Sequence, residues 1–135
     1  MYWLKKLQMQ DKFTYKYAII RVVPKVEREE FFNVGVILFC KRKKFLQMKF
    51  HINEAKLRAF ASDIEVSTLN DYLKAWDLIC KGDASSGKIG QLELSERFGW
   101  LTACRSTVIQ SSKTYTGLDS GPQGALEAIF KMHVL

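Results

Sequence analysis

The sequence has little that would name a reaction. Only two histidines, two prolines and three cysteines occur in 135 residues. The cysteines, Cys40, Cys80 and Cys104, are odd in number and widely spaced, with no C-x-x-C. That excludes a disulfide framework and argues against a zinc site, so they read as small buried hydrophobes. No apolar run approaches the ~18–20 residues needed to span a bilayer. The first residues, Met1-Tyr2-Trp3-Leu4, are apolar before Lys5-Lys6, the reverse of a secretory signal. The expected compartment is therefore the cytoplasm, without membrane contact. Ser85-Ser86-Gly87-Lys88 is too short to be a phosphate-binding loop. Glu27, Glu29 and Glu30 sit in a charged turn rather than facing each other as an acid/base pair. Ser106 and Cys104 have only His51 and His133 as conceivable bases, and nothing in the spacing brings either near. His51 itself reads as a surface residue at a strand end. No cofactor or metal is implied, and the balance leans away from an enzyme.

Aromatics and basic residues, by contrast, are plentiful. Nine Phe, five Tyr and three Trp are too many for a disordered chain. Length and an apolar share of 47% give a single domain over residues 1–135 with a real core. The net charge of +7 is uneven: residues 1–60 carry +9 and residues 61–135 carry −2.

Residues 14–23 are rich in β-branched and aromatic types and stop at Pro24. Residues 31–40 form the most apolar stretch, a central strand in which Gly35 marks a bulge or a close backbone approach. A third strand follows over 45–52. Short connections make the three an antiparallel meander, with Lys41-Arg42-Lys43-Lys44 at a hairpin tip. Asn53 caps a short helix to about Phe60. The clearest helix carries Val66, Leu69, Tyr72, Leu73, Trp76, Ile79 and Cys80 at three- and four-residue spacing. Thr68-x-x-Asp71 or Ser67 would start it, and Gly82 would end it. Residues 82–91 read as a flexible loop, and residues 1–13 as a lead-in. A short helix from Ser95, one or two further strands after residue 107, and a helix from Gly121-Pro122 complete the chain. The expected fold is α+β: an antiparallel sheet, the N-terminal three-stranded meander plus one or two later strands, packed by three or four helices.

Two segments concentrate polar residues in apolar surroundings. One holds Arg21, Arg28, Glu30 and Asn33; the other holds Arg97, Arg105, Ser106 and Gln110. Three readings stand for this group. It is a buried Arg–Glu network that ties the chain together, an anion site built on guanidinium forks, or a protein interface. The tetrad Lys41, Arg42, Lys43, Lys44, extended by Lys5, Lys6, Lys12, Lys16 and Lys49, reads as a solvated turn that protects a strand edge, as a nucleic-acid contact, or as a surface for an acidic protein. Phe45 is expected to face the core, which leaves the tetrad without an interleaved aromatic.

The same blocks carry a resemblance. They are Tyr17-Ala18-Ile19-Ile20-Arg21-x-x-Pro24, Arg28-x-Glu30-Phe31-x-Asn33-Val34-Gly35-Val36-Ile37-Leu38, Leu57-Arg58-Ala59-Phe60, Glu96-Arg97-Phe98-x-Trp100-Leu101-Thr102-Ala103, Arg105-Ser106-Thr107-Val108-Ile109-Gln110 and Thr116-Gly117-Leu118. Over roughly residues 15–130 the chain resembles a bacterial family, domain of unknown function 3037. One departure is Cys104, where that family often has proline. The resemblance implies no established activity. It implies a candidate partner, a kinase-like protein of the Hip type encoded nearby. The expectation is thus a non-catalytic protein-binding module, with a nucleic-acid or phosphate-anion binder as the alternative.

Overall fold

The structure is a computed structural model that describes residues 12–24, 30–61, 63–103 and 108–135. Three strands, β1 (Phe13–Val22), β2 (Phe32–Cys40) and β3 (Phe45–Phe50), form the expected antiparallel meander. Two short strands, β4 (Ile109–Ser111) and β5 (Tyr115–Asp119), return along the other edge of β1. The sheet order is β3-β2-β1, with β4 and β5 lying end to end against β1. Among the described residues the helices are α1 (Glu54–Phe60), α2 (Val66–Lys81), α3 (Gly87–Gly90), α4 (Leu94–Thr102) and α5 (Pro122–His133). The architecture is α+β.

Strand alternation assigns the two faces. Ala18, Ile20 and Val22 of β1 join Phe32, Val34, Ile37 and Phe39 of β2 under α2 and α4. Ile19, Val36 and Leu38 point the other way, against Ala125, Leu126 and Phe130 of α5. Burying a Leu or Phe side chain contributes about 1.5–3 kcal/mol. Leu126 and Phe130, both buried, therefore hold α5 on the sheet. Pro122 sits in the first turn of α5 and Gly121 precedes it. The Lys49 ammonium pairs with the Glu127 carboxylate at the rim of this contact.

Two irregularities shape β1's neighbours. Ile20 faces Gly35 while Arg21 faces Asn33, so Val34 is one residue in excess on β2. Its carbonyl accepts the His51 amide at 2.7 Å. A Cβ on Gly35 would lie 2.8 Å from the Lys49 carbonyl oxygen, which is why this position is glycine. On the other edge, Ile20 faces Ser111 and Tyr17 faces Tyr115. That leaves Ser112 opposite Ile19. The Ser112 amide donates to the Ile19 carbonyl at 2.8 Å, and the Ile19 amide donates to Ser112 Oγ at 2.8 Å. A buried hydroxyl thus replaces the ladder carbonyl where the strand breaks.

Three local expectations are corrected. Helix α2 starts at Val66 behind Glu65, without a side-chain cap, so Ser67 and Thr68 lie inside its first turn. Helix α4 begins at Leu94, likewise uncapped, rather than at Ser95. Residues 82–91, read as a flexible loop, fold into a 3-10 turn (Ala84–Ser86) and α3. Asp83 Oδ1 accepts from the Ser85 amide and hydroxyl, at 2.9 and 2.6 Å. This local bonding folds a Gly/Ser-rich segment.

Candidate functional site

The β2 bulge builds the site. A continuous register would set Arg21 against Val34 and turn Asn33 toward the α2/α4 core. With Val34 in excess, Val34 and Gly35 both lie on the core side, and Asn33 comes to stand beside Arg21 on the α5 face. Gln110 of β4 flanks Arg21 on its other side. Asn33, Arg21 and Gln110 therefore form one cross-strand row at the end of the sheet, each half-buried.

The row has a definite geometry. Asn33 Nδ2 donates to the backbone carbonyl of His133, at the C-terminal end of α5, at 3.1 Å. That fixes the amide and leaves Oδ1 buried with no partner among the described residues. The Arg21 guanidinium carbon lies 4.0 Å from the centre of the Phe31 ring. Its Nε is buried and also has no partner among the described residues. Phe31 is 46% exposed, so the stack is presented to solvent. Glu30 is exposed and joins no ion pair among the described residues. The arrangement sets a guanidinium and a side-chain amide beside an exposed aromatic ring within one patch.

Arg97 is in a different place. It lies on α4, buried against the other face of the sheet with Phe98 and Leu101. Its Nη1 donates to the carbonyls of Ile79 and Cys80 at 3.0 and 3.2 Å. Those are end-of-helix carbonyls of α2, and Gly82 closes that helix end in the left-handed conformation. Arg97 is thus an extra cap on α2. Arg28, Arg105 and Ser106 lie outside the described residues, as do Cys104, Lys5 and Lys6.

The tetrad Lys41, Arg42, Lys43 and Lys44 forms the exposed β2–β3 turn. Phe13 of β1 lies beneath it: Lys43 Nζ is 4.2 Å and the Arg42 guanidinium carbon 5.1 Å from the ring centre. Phe13 is half-buried rather than an exposed aromatic interleaved with the tetrad, and Phe45 packs partly against the α5 core. Tyr15, Tyr17 and Tyr115 continue on the same face, with Tyr17 and Tyr115 stacked at 5.4 Å. The Tyr15 ring crosses Gly117, where any Cβ would collide with it. Burial, then the Asp119 carboxylate and Tyr17, push the Tyr15 hydroxyl pKa up.

Other groups are poor candidates for chemistry. Burial, with Asp77 adding to it, pushes the Cys80 thiol up to about 12, so it is not a nucleophile at neutral pH. Cys40 is buried and free. His51 and His133 are exposed, and among the described residues no group of His, Cys, Asp and Glu is placed to hold a metal ion. No helix among them is long and apolar enough to cross a membrane.

Two residues of these surfaces carry only a weak signal in the sequence. Phe31-Phe32 is a doublet entering a strand, and alternation requires one ring to face away from the core. Phe13 begins β1 on the face that Arg21 ends. The model of a family described as "Protein of unknown function (DUF3037)" matches residues 17–134, nearly the whole chain. The chain belongs to the DUF3037 family. No curated protein and no solved structure matches it. In this DUF3037 chain the matched region contains the whole row, Arg21, Asn33 and Gln110, while Phe13 lies just ahead of it.

Proposed function

We propose that this chain is a small, non-catalytic protein-binding module of bacterial origin that works in the cytoplasm. Its recognition surface is the patch of Arg21, Phe31 and Asn33. The single observation that supports this is the Arg21 guanidinium stacked on the exposed Phe31 ring, with Asn33 beside it across the strand pair. Arg and aromatic side chains are enriched at the centres of interfaces. A partner that brings a carboxylate to the Arg21 guanidinium would add a charge-assisted hydrogen bond beside the exposed Phe31 ring. A kinase-like protein of the Hip type is the first candidate partner. The test is titration of that protein with the chain and with R21A. The expected result is a complex that R21A weakens at least about tenfold, the loss of one charged hydrogen bond. No complex, or equal binding by R21A, contradicts the proposal.

A second reading, a nucleic-acid or phosphate-anion binder, has its own supporting observation. Arg42 and Lys43 lie over Phe13, and the Tyr15–Tyr17–Tyr115 group adjoins on the same face. Cations beside aromatic rings are the chemistry of single-strand binding. Titrating oligonucleotide at several salt concentrations decides it. A steep negative log–log slope that R42A/K43A reduces supports this reading, and a slope near zero removes it.

A further inference from the structure

On the opposite layer from the Arg21 patch, β3 and the α2/α4 pair border a half-open cavity of about 540 Å³. Lys44, Lys81 and Arg97 bring positive charge to its wall, and Asp77 brings the one carboxylate. That carboxylate is already paired with Lys81, at 2.8 Å. Leu46, Met48 and Leu94 add apolar side chains to a wall that exposes more polar than apolar surface. Arg97 is 9% exposed, its Nη1 is spent on the Ile79 and Cys80 carbonyls, and its Nε is buried with no partner among the described residues.

A guanidinium binds carboxylate and phosphate two-handedly along an edge. With Nη1 committed, the edge left to Arg97 is the one formed by Nε and Nη2. A buried charged donor left unbonded costs free energy that an anion placed there recovers. The volume falls within the range of small-molecule pockets, and three cationic side chains converge on it. We infer that this cavity binds a small molecule with one carboxylate or phosphate group, that group on the Nε–Nη2 edge of Arg97 and near Lys44, with any short apolar part against Met48 and Leu94. Binding is non-covalent, because the Cys80 thiol in the same wall stays protonated. The site is separate from the Arg21 patch, so either can fail without the other.

The Arg97 Nε–Hε resonance reads the site directly in the ¹⁵N-labelled full-length chain, assigned by its absence in R97K. The probes are hexanoate, inorganic phosphate and, as the uncharged control, hexanol. Hexanoate and phosphate at millimolar concentration should shift this resonance and hexanol should not. K44G, which removes a mouth cation without disturbing Arg97, should weaken hexanoate about three- to fivefold. L94W, which fills the cavity, should abolish the shift while the rest of the spectrum shows a folded chain. The inference is overturned if the Arg97 signal does not move, if hexanol moves it equally, or if hexanoate binds a folded L94W unchanged. It is also overturned if the anions move the Arg21 Nε–Hε signal alone.

Discussion

Asn33 stands directly across from Arg21 because one residue, Val34, is in excess on β2. The pairing puts two polar side chains on the α5 face without leaving a charge in either core cluster. It also distinguishes the two arginines, Arg21 and Arg97. Arg21 stacks on an exposed ring and meets no carboxylate among the described residues, whereas Arg97 is built into the end of α2.

Their removal should therefore differ. R21A loses a cation–π contact of about 0.5–1 kcal/mol and also removes a buried Nε that has no partner among the described residues, so its net cost should stay below about 1 kcal/mol. R97A loses two charge-assisted bonds and the packing of a buried side chain, and should cost about 2–4 kcal/mol. R97K should recover little, because an ammonium cannot reproduce the fork. Urea unfolding of the three variants checks the order. Equal losses for R21A and R97A would show that Arg21 is as structural as Arg97.

Ser112 is the joint between β4 and β5. S112A leaves the buried Ile19 amide without its side-chain acceptor. The variant should be less stable by about 1–3 kcal/mol. S112T keeps the hydroxyl and should recover part of that loss, less the cost of placing a methyl in a buried position. Thermal unfolding compared across the pair separates the hydrogen bond from the volume.

Two positions with positive φ should respond in opposite directions. Gly82 is left-handed, and a Cβ there would lie 2.6 Å from Arg97 Nη1. G82A should therefore destabilise the fold by about 1–2 kcal/mol. Lys44 holds a positive φ with an L side chain at the hairpin tip. K44G should relieve that conformation and stabilise by up to about 1 kcal/mol. Chemical denaturation midpoints give both signs.

The Lys49–Glu127 pair gives a pH signature. The hydrogen bond from Lys49 holds the Glu127 carboxyl below its ordinary pKa. A depressed folded pKa means stability that is present above the ordinary carboxylate value and lost as pH falls through the folded value. E127Q should flatten that part of the acid limb of a Tm-against-pH curve, and high salt should shrink the difference because the pair is exposed. The part that E127Q leaves includes Asp83, whose carboxyl the Ser85 hydrogen bonds also hold low.

Much of the fold is legible because its punctuation is local. Asn53 caps α1 through the Lys56 amide at 3.1 Å, Gly82 ends α2, Gly121-Pro122 starts α5, and Gly35 marks a close approach beside a bulge. What escapes depends on tertiary context. Composition marks residues 82–91 as a loop, yet the Asp83–Ser85 bonds fold them. Ser67 and Thr68 are good caps, yet α2 extends back to Val66, which packs against the core. Arg97 reads as one cluster with Arg21 in the sequence, since spacing does not show which layer a helix joins. The helical spacing of Arg97, Phe98 and Leu101 carries that information: all three are buried on one side of α4. The convergence of Arg21, Asn33 and Gln110 requires a bulge whose register no local pattern sets.

The central proposal is that the Arg21–Phe31–Asn33 patch recognises a protein partner. Its most direct measurement is calorimetric titration of the kinase-like protein with the wild-type chain, R21A and N33A. The account predicts a defined complex for the wild-type chain. It predicts at least about tenfold weaker binding for R21A and a smaller loss for N33A, with both variants as folded as wild type. A wild-type chain that does not bind, or an R21A that binds with unchanged affinity, would contradict it.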